Sequence, residues 1–170
     1  MKKISILVFT LIIIACSKKE IKEHFSFSGF EKLKIGDSIS KLSSEVNLEN
    51  TAEEVIPDEK CFRSENYKLS AEIGNVKNVF IRTYKDKIYH VAFDTDSLTN
   101  RLEISKLIFT DSLRPLGKLM DLEFQSVDGK VDLSVRTSKE KNTYIYTNVN
   151  VWKTVQMKRD SLYKAKFNNF

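Results

Sequence analysis

The segment from Asp121 to Thr137 constrains this chain more tightly than any other. Val131, Leu133 and Val135 alternate with Asp132, Ser134 and Arg136, and a strict period of two is the pattern of a half-buried strand. Asp128-Gly129 precedes the run, and a shorter apolar–polar stretch, Asp121–Ser126, lies before that. Asp-Gly between two such runs favours the positive backbone angles of a tight hairpin turn. The hairpin must bury one face, so the chain has to supply a sheet and something to cover it.

The rest of the sequence extends that sheet. Tyr67–Ile73 alternates loosely. Val79, Ile81 and Thr83 oppose Phe80, Arg82 and Tyr84, and Tyr89, Val91 and Phe93 oppose His90 and Ala92. Asp86-Lys87 is expected as the turn between these last two runs. Thr143–Val149 and Val151–Met157 are expected as a further strand pair, with Asp160–Phe167 as a closing helix. Helical spacing appears at Ile39, Leu42 and Val46 behind an Asp37 or Ser38 cap. A second helix is expected from an Asp96 or Ser97 cap, with Leu98, Leu102 and Ser105 on one face, Leu107 and Ile108 extending it, and Pro115-Leu116-Gly117 ending it. Asn47–Lys60 is polar and reads as a loop.

The expected class is therefore α+β, with antiparallel sheet and short helices packed on one face. The order helix, strands, helix, strands suggests two tandem helix-plus-meander units, 37–96 and 97–158, within one domain spanning 25–170.

The amino terminus sets location. Met1-Lys2-Lys3 is basic, and Ile4–Ile14 is apolar but for Ser5 and Thr10. As a helix this run reaches roughly 16 Å, against a hydrocarbon core of ~30 Å. It suits a secretory leader and is too short to span a bilayer. It ends in Ile13-Ile14-Ala15-Cys16, which resembles the lipobox of bacterial lipoprotein signal peptides, although Ile13 stands where Leu is preferred. The resemblance implies cleavage of residues 1–15, acylation of Cys16 by palmitate-like chains, and a membrane partner through that anchor. Residues 16–24 then form a lipidated, polar tether. Ser17 after the Cys implies the outer membrane, with the periplasmic face as the expected location in the cell envelope.

Composition narrows the function classes. The chain has 170 residues, 28 Lys+Arg and 23 Asp+Glu, and a net charge of +5. No basic block exceeds two residues, so no nucleic-acid partner is expected. His24 and His90 are the only histidines. There is no HExxH or CxxC, so no metal and no cofactor are expected. Cys61 remains as the one thiol outside the lipobox, either reactive beside Lys60 and Arg63 or simply buried, and burial is the expected state.

Asp94-Thr95-Asp96 follows a strand and resembles the Asp-x-Asp opening of haloacid-dehalogenase-type phosphatases. Ser97 replaces the usual Gly, and parallel patterning is missing. A strand end at Asp94 and a helix cap at Asp96 is the plainer reading. Tyr144, Tyr146 and Trp152 are candidates for an aromatic interface, with packing into the core as the alternative.

Leu33-Lys34-Ile35-Gly36-Asp37-Ser38-Ile39-Ser40-Lys41-Leu42 resembles the Gly-x-Ser/Thr helix start of SmpA/OmlA and β-lactamase-inhibitor-like domains. That resemblance implies an antiparallel sheet with short helices that binds a protein. The expectation is a non-catalytic, lipid-anchored protein that binds an envelope protein or ligand. The alternatives are an inhibitor or immunity-type protein acting through loops such as 47–60, and an envelope hydrolase using Asp94 and Asp96.

Overall fold

A computed structural model describes residues 26–43, 49–51, 56–70, 74–96, 113–116, 123–138 and 140–167. Cys16, the leader and the tether lie outside the described residues, as does the helix expected over 97–108.

The chain enters through a small ribbon, β1 (Gly29–Phe30) paired with β2 (Leu33–Lys34), and a helical turn, α1 (Ser40–Ser43). Two four-stranded meanders follow. The first comprises β3 (Glu49–Thr51), β4 (Glu59–Ser70), β5 (Gly74–Tyr84) and β6 (Lys87–Asp96). The second comprises β7 (Leu113–Pro115), β8 (Glu123–Ser126), β9 (Val131–Thr137) and β10 (Lys141–Asn148), and leads into α2 (Val149–Phe167). The meanders join through β6 and β10 into one antiparallel sheet, ordered β3-β4-β5-β6-β10-β9-β8-β7. The class is α+β, with an antiparallel sheet.

Several local expectations are corrected. Val151–Met157 is the start of α2, not a strand. Asn148 caps it, its Oδ1 accepting the N–H groups of Asn150 and Val151 at 3.1 and 3.0 Å. That local bond outweighs the β-branched content of the segment. Val151 and Val155 then face one way, four residues apart. The segment 47–60 contributes β3 and the first residues of β4. Pro115 closes strand β7, and Asp96 still pairs within β6, opposite Lys141. The turn before β6 is Lys85-Asp86, both with positive φ.

The sheet's inner face carries the main core. Ile81, Val91, Phe93, Tyr144, Tyr146, Leu133 and Phe124 lie beneath Phe27, Phe30, Leu33 and Leu42 of the entering segment. Tyr146 is fully buried, and its hydroxyl donates to the Leu33 carbonyl at 2.5 Å. Gly29 is required at this contact. A Cβ there would come within 2.3 Å of the Leu33 oxygen and 2.9 Å of the Tyr146 ring.

The outer face carries α2. The two described helices thus pack on opposite faces, not on one, and α2 has 19 residues. A β-bulge makes room for it. Arg82 pairs with His90 but Thr83 pairs with Ile88, so an extra residue is inserted in β6. Ile88 joins the main core and Tyr89 the cluster under α2. Tyr89 consequently faces away from Val91 and Phe93, against the simple alternation.

Candidate functional site

The outer face divides into two parts. Near the Lys85-Asp86 turn it is roofed by α2. Further along the strands lies a row with no apolar cluster over it among the described residues.

The roofed part is built around Glu59, the first residue of β4, which is fully buried. Arg159 of α2 donates from one nitrogen to both Glu59 oxygens, at 2.6 and 2.7 Å. Tyr89 donates its hydroxyl to Glu59 at 2.5 Å, and Arg82 reaches the same oxygen at 3.3 Å. Burial pushes the Glu59 pKa up, but the bonds from Tyr89 and Arg159 and the nearby guanidinium charges outweigh it. The net effect is a pKa below the ordinary value. Burial together with the Glu59 bond holds the Tyr89 phenol well above its usual range.

His90 lies next to this cluster. Its Nδ1 is 2.8 Å from the Thr147 hydroxyl, and Trp152 covers its ring at 5.5 Å. Burial, reinforced by the Arg82 charge, lowers its pKa to about 4. It is therefore neutral near pH 7. Cys61 is buried and stands opposite Arg82 in the β4–β5 pairing, which is the inert one of its two expected states.

This ensemble pins a helix to a sheet by directional bonds. Breaking it by removing one partner strands a buried charge, at a cost of about 3–5 kcal/mol.

The open part is a row across six strands. The pairing register aligns Arg63, Phe80, Ala92, Ile145, Ser134 and Glu123 side by side on β4, β5, β6, β10, β9 and β8. Phe80 and Ile145 are half-buried and belong to neither apolar cluster. The Arg63 and Arg82 guanidinium groups lie 5.5 and 5.2 Å from the Phe80 ring centre. The row thus offers two apolar side chains between Arg63, which stands opposite Glu49 of β3, and Glu123 of β8. Alternation placed Phe80 opposite Val79 and Ile81. What it could not give is that, among the described residues, no apolar cluster covers that side.

Asp94 is nearly buried at the margin of the row. Lys141 and Asn78 donate to its Oδ2 at 2.7 and 2.8 Å, and Thr143 donates to its Oδ1 at 2.6 Å. Burial raises its pKa, while these three hydrogen bonds and the Lys141 charge lower it further, so the net direction is down. The carboxylate is thus ionised and occupied. A second β-bulge supplies Asn78, which has positive φ. Among the described residues no three His, Cys, Asp or Glu side chains converge as a metal site, and no helix is long and apolar enough to cross a membrane.

The aromatic candidates separate. Tyr144 and Tyr146 do share a strand face, but that face is the core. Tyr144 stacks on Phe93 at 5.4 Å, and Tyr146 lies edge-on to Phe27 and Phe30. Neither forms a surface, because the entering segment covers them. Trp152 sits on α2, half-buried against Tyr89 and His90. The three residues expected as one interface lie on two sides of the sheet. Comparison with protein-family models, curated proteins and solved structures finds no match to this chain.

Proposed function

We propose that this protein is a lipid-anchored, non-catalytic component of the cell envelope that binds a protein partner through the open part of its outer sheet face. The observation that carries the anchor is the short apolar leader ending in Ile13-Ile14-Ala15-Cys16. Two or more acyl chains on one residue make detachment from a bilayer negligible. The binding half of the reading is supported by the row around Phe80 and Ile145, where apolar groups lie between charged rims as in many protein interfaces. The saturated carboxylate of Asp94 speaks for binding over the hydrolase alternative, since an attacking or proton-accepting oxygen must be available to substrate.

Two experiments test this. Cys16→Ser should abolish acyl labelling of the full chain, and undiminished labelling overturns the anchor. Purification from detergent-solubilised membranes should bring down a stoichiometric protein. Phe80→Asp with Ile145→Asp should lose that protein while the variant keeps its fold. Repeated recovery of the wild-type chain alone overturns the binding reading.

A further inference from the structure

We infer that one end of the sheet is a membrane-facing edge, with α2 lying along it against anionic lipid headgroups. The inference rests on the lipid-anchor reading and adds an orientation and a contact surface to it.

The first support is where the tether enters. Ser26 is the first described residue, and its hydroxyl accepts the N–H of Asp128 at 3.3 Å. The chain therefore joins the fold at the β8–β9 turn. From Cys16 to Ser26 the backbone spans at most roughly 35 Å when fully extended. That reach exceeds the length of β9, so the tether delivers this end to the bilayer first, but the choice of end rests on what the end carries.

The second support is what else lies at that end. The β6–β10–β9 register puts the Lys85-Asp86 turn beside the turn at Val127–Lys130. The N–H of Val149, at the start of α2, bonds the Lys130 carbonyl at 2.9 Å. From there α2 does not climb the strands. It crosses them, over Tyr89 and His90 on β6, then Tyr84 on β5, then Glu59 on β4. Ten residues separate Val149 from Arg159, about 15 Å of helix, and three strand spacings from β10 to β4 are about 14 Å. The match means that α2 runs nearly perpendicular to the strands along this one end. Residues 160–166 continue with exposed side chains.

The third support is chemistry. Apart from Arg159, which is committed to Glu59, α2 carries Lys153, Lys158, Lys164 and Lys166 against Asp160 alone. Lys85, Lys87 and Lys130 are exposed in and beside the two turns, where Asp128 pairs with Lys130 at 3.1 Å and Asp86 with Lys60 at 3.2 Å, so the lysines still outnumber the acids. Five large apolar side chains are exposed among the described residues, and four lie at this end: Met157 at 63%, Tyr163 at 53%, Val127 at 46% and Leu162 at 38%. Val127 lies in the turn, and Met157, Leu162 and Tyr163 are spread around the part of α2 outside its Val151–Val155 side, so these groups do not define a protein-binding groove. Lysines interspersed with Tyr, Leu and Met fit a headgroup layer, where each basic residue near an anionic surface contributes about 1 kcal/mol and aromatic rings settle at the interface.

The test uses the full acylated chain in vesicles containing phosphatidylglycerol and, separately, in phosphatidylcholine vesicles. A fluorophore is placed on Val127→Cys at the proposed edge or on Thr137→Cys at the other end of β9, roughly 25 Å away. Buried Cys61 does not compete for label. Energy transfer to a headgroup-labelled lipid is expected to be at least about twofold stronger from position 127 than from 137 in the anionic vesicles. Lys87→Glu with Lys164→Glu should reduce that ratio in anionic vesicles and leave it unchanged in phosphatidylcholine. Equal transfer from both ends, stronger transfer from 137, or no response to charge reversal overturns the inference. Mass spectrometry of the same sample separates the two failures. An acylated chain without asymmetry sinks only the orientation, and an unacylated chain sinks the anchor and the orientation with it.

Discussion

The two faces of the sheet hold their covers by different physics. On the inner face the entering segment is fixed by apolar side chains, with Phe27, Phe30 and Leu33 packed on Phe93, Tyr144 and Tyr146. That attraction is non-directional and scales with the area removed from water. On the outer face α2 has a small apolar contact, centred on Val155 and Tyr89, and a buried ion pair between Arg159 and Glu59. That attraction is directional and sensitive to protonation. One face should therefore respond to volume and the other to charge.

The largest effect is expected on the inner face. Phe93→Ala removes a ring that stacks on Tyr144 and meets Phe30 and Tyr146. Denaturant unfolding should show a loss of about 3–5 kcal/mol. A loss below about 1 kcal/mol would mean that the inner face is not the main core.

Next comes the ion pair. Arg159→Ala leaves Glu59 buried with less compensation and should cost about 3 kcal/mol. Arg159→Met with Glu59→Leu should recover much of that, because both charges leave together. Trp152 is the only tryptophan, so its emission reports whether α2 stays docked. If the double variant is as unstable as the single one, charge is not what matters at this contact.

Acid separates the faces further. The pKa of His90 is near 4 in the folded protein, below the value of about 6.5 expected when unfolded. The unfolded chain then binds more protons between these values, so stability falls as pH drops from about 6.5 toward 4. Glu59 and Asp94, whose pKa values are lowered, add losses as pH falls through and below the ordinary carboxylate range. His90→Gln should flatten the upper part of this profile and leave the lower part. The change in Trp152 emission should track it, and a profile unchanged by the substitution would refute the role of His90.

Smaller effects are local. Asn148→Ala removes the helix cap and should cost about 1 kcal/mol by thermal unfolding. Phe80→Ala lies on the open row and should change stability by no more than about 1 kcal/mol, the scale of its contacts with Arg63 and Arg82. A larger cost would show that Phe80 supports the fold and is not part of a free surface.

Much of the sheet is legible in the sequence because alternation is a local signal. Val131–Thr137, the Asp128-Gly129 turn and the split of Val79 and Ile81 from Phe80 and Arg82 are all found where the pattern puts them. The failures have specific causes. Tyr89 breaks its own alternation at a bulge, which depends on pairing with β5 and leaves no trace in β6 alone. Val151–Met157 carries strand-like residues, and an Asn side chain one turn away decides it as helix. Glu59 looks like a loop acid until Arg159, a hundred residues later, meets it.

Residue order alone thus determines the cleanly alternating strands such as Val131–Thr137 and the Asp128-Gly129 turn before it, since each depends on neighbours a few positions away. Tertiary structure alone decides which tyrosines are buried, which carboxylates are paired, and which part of the outer face α2 roofs. Those properties belong to contacts between distant segments, and no short stretch of sequence encodes them.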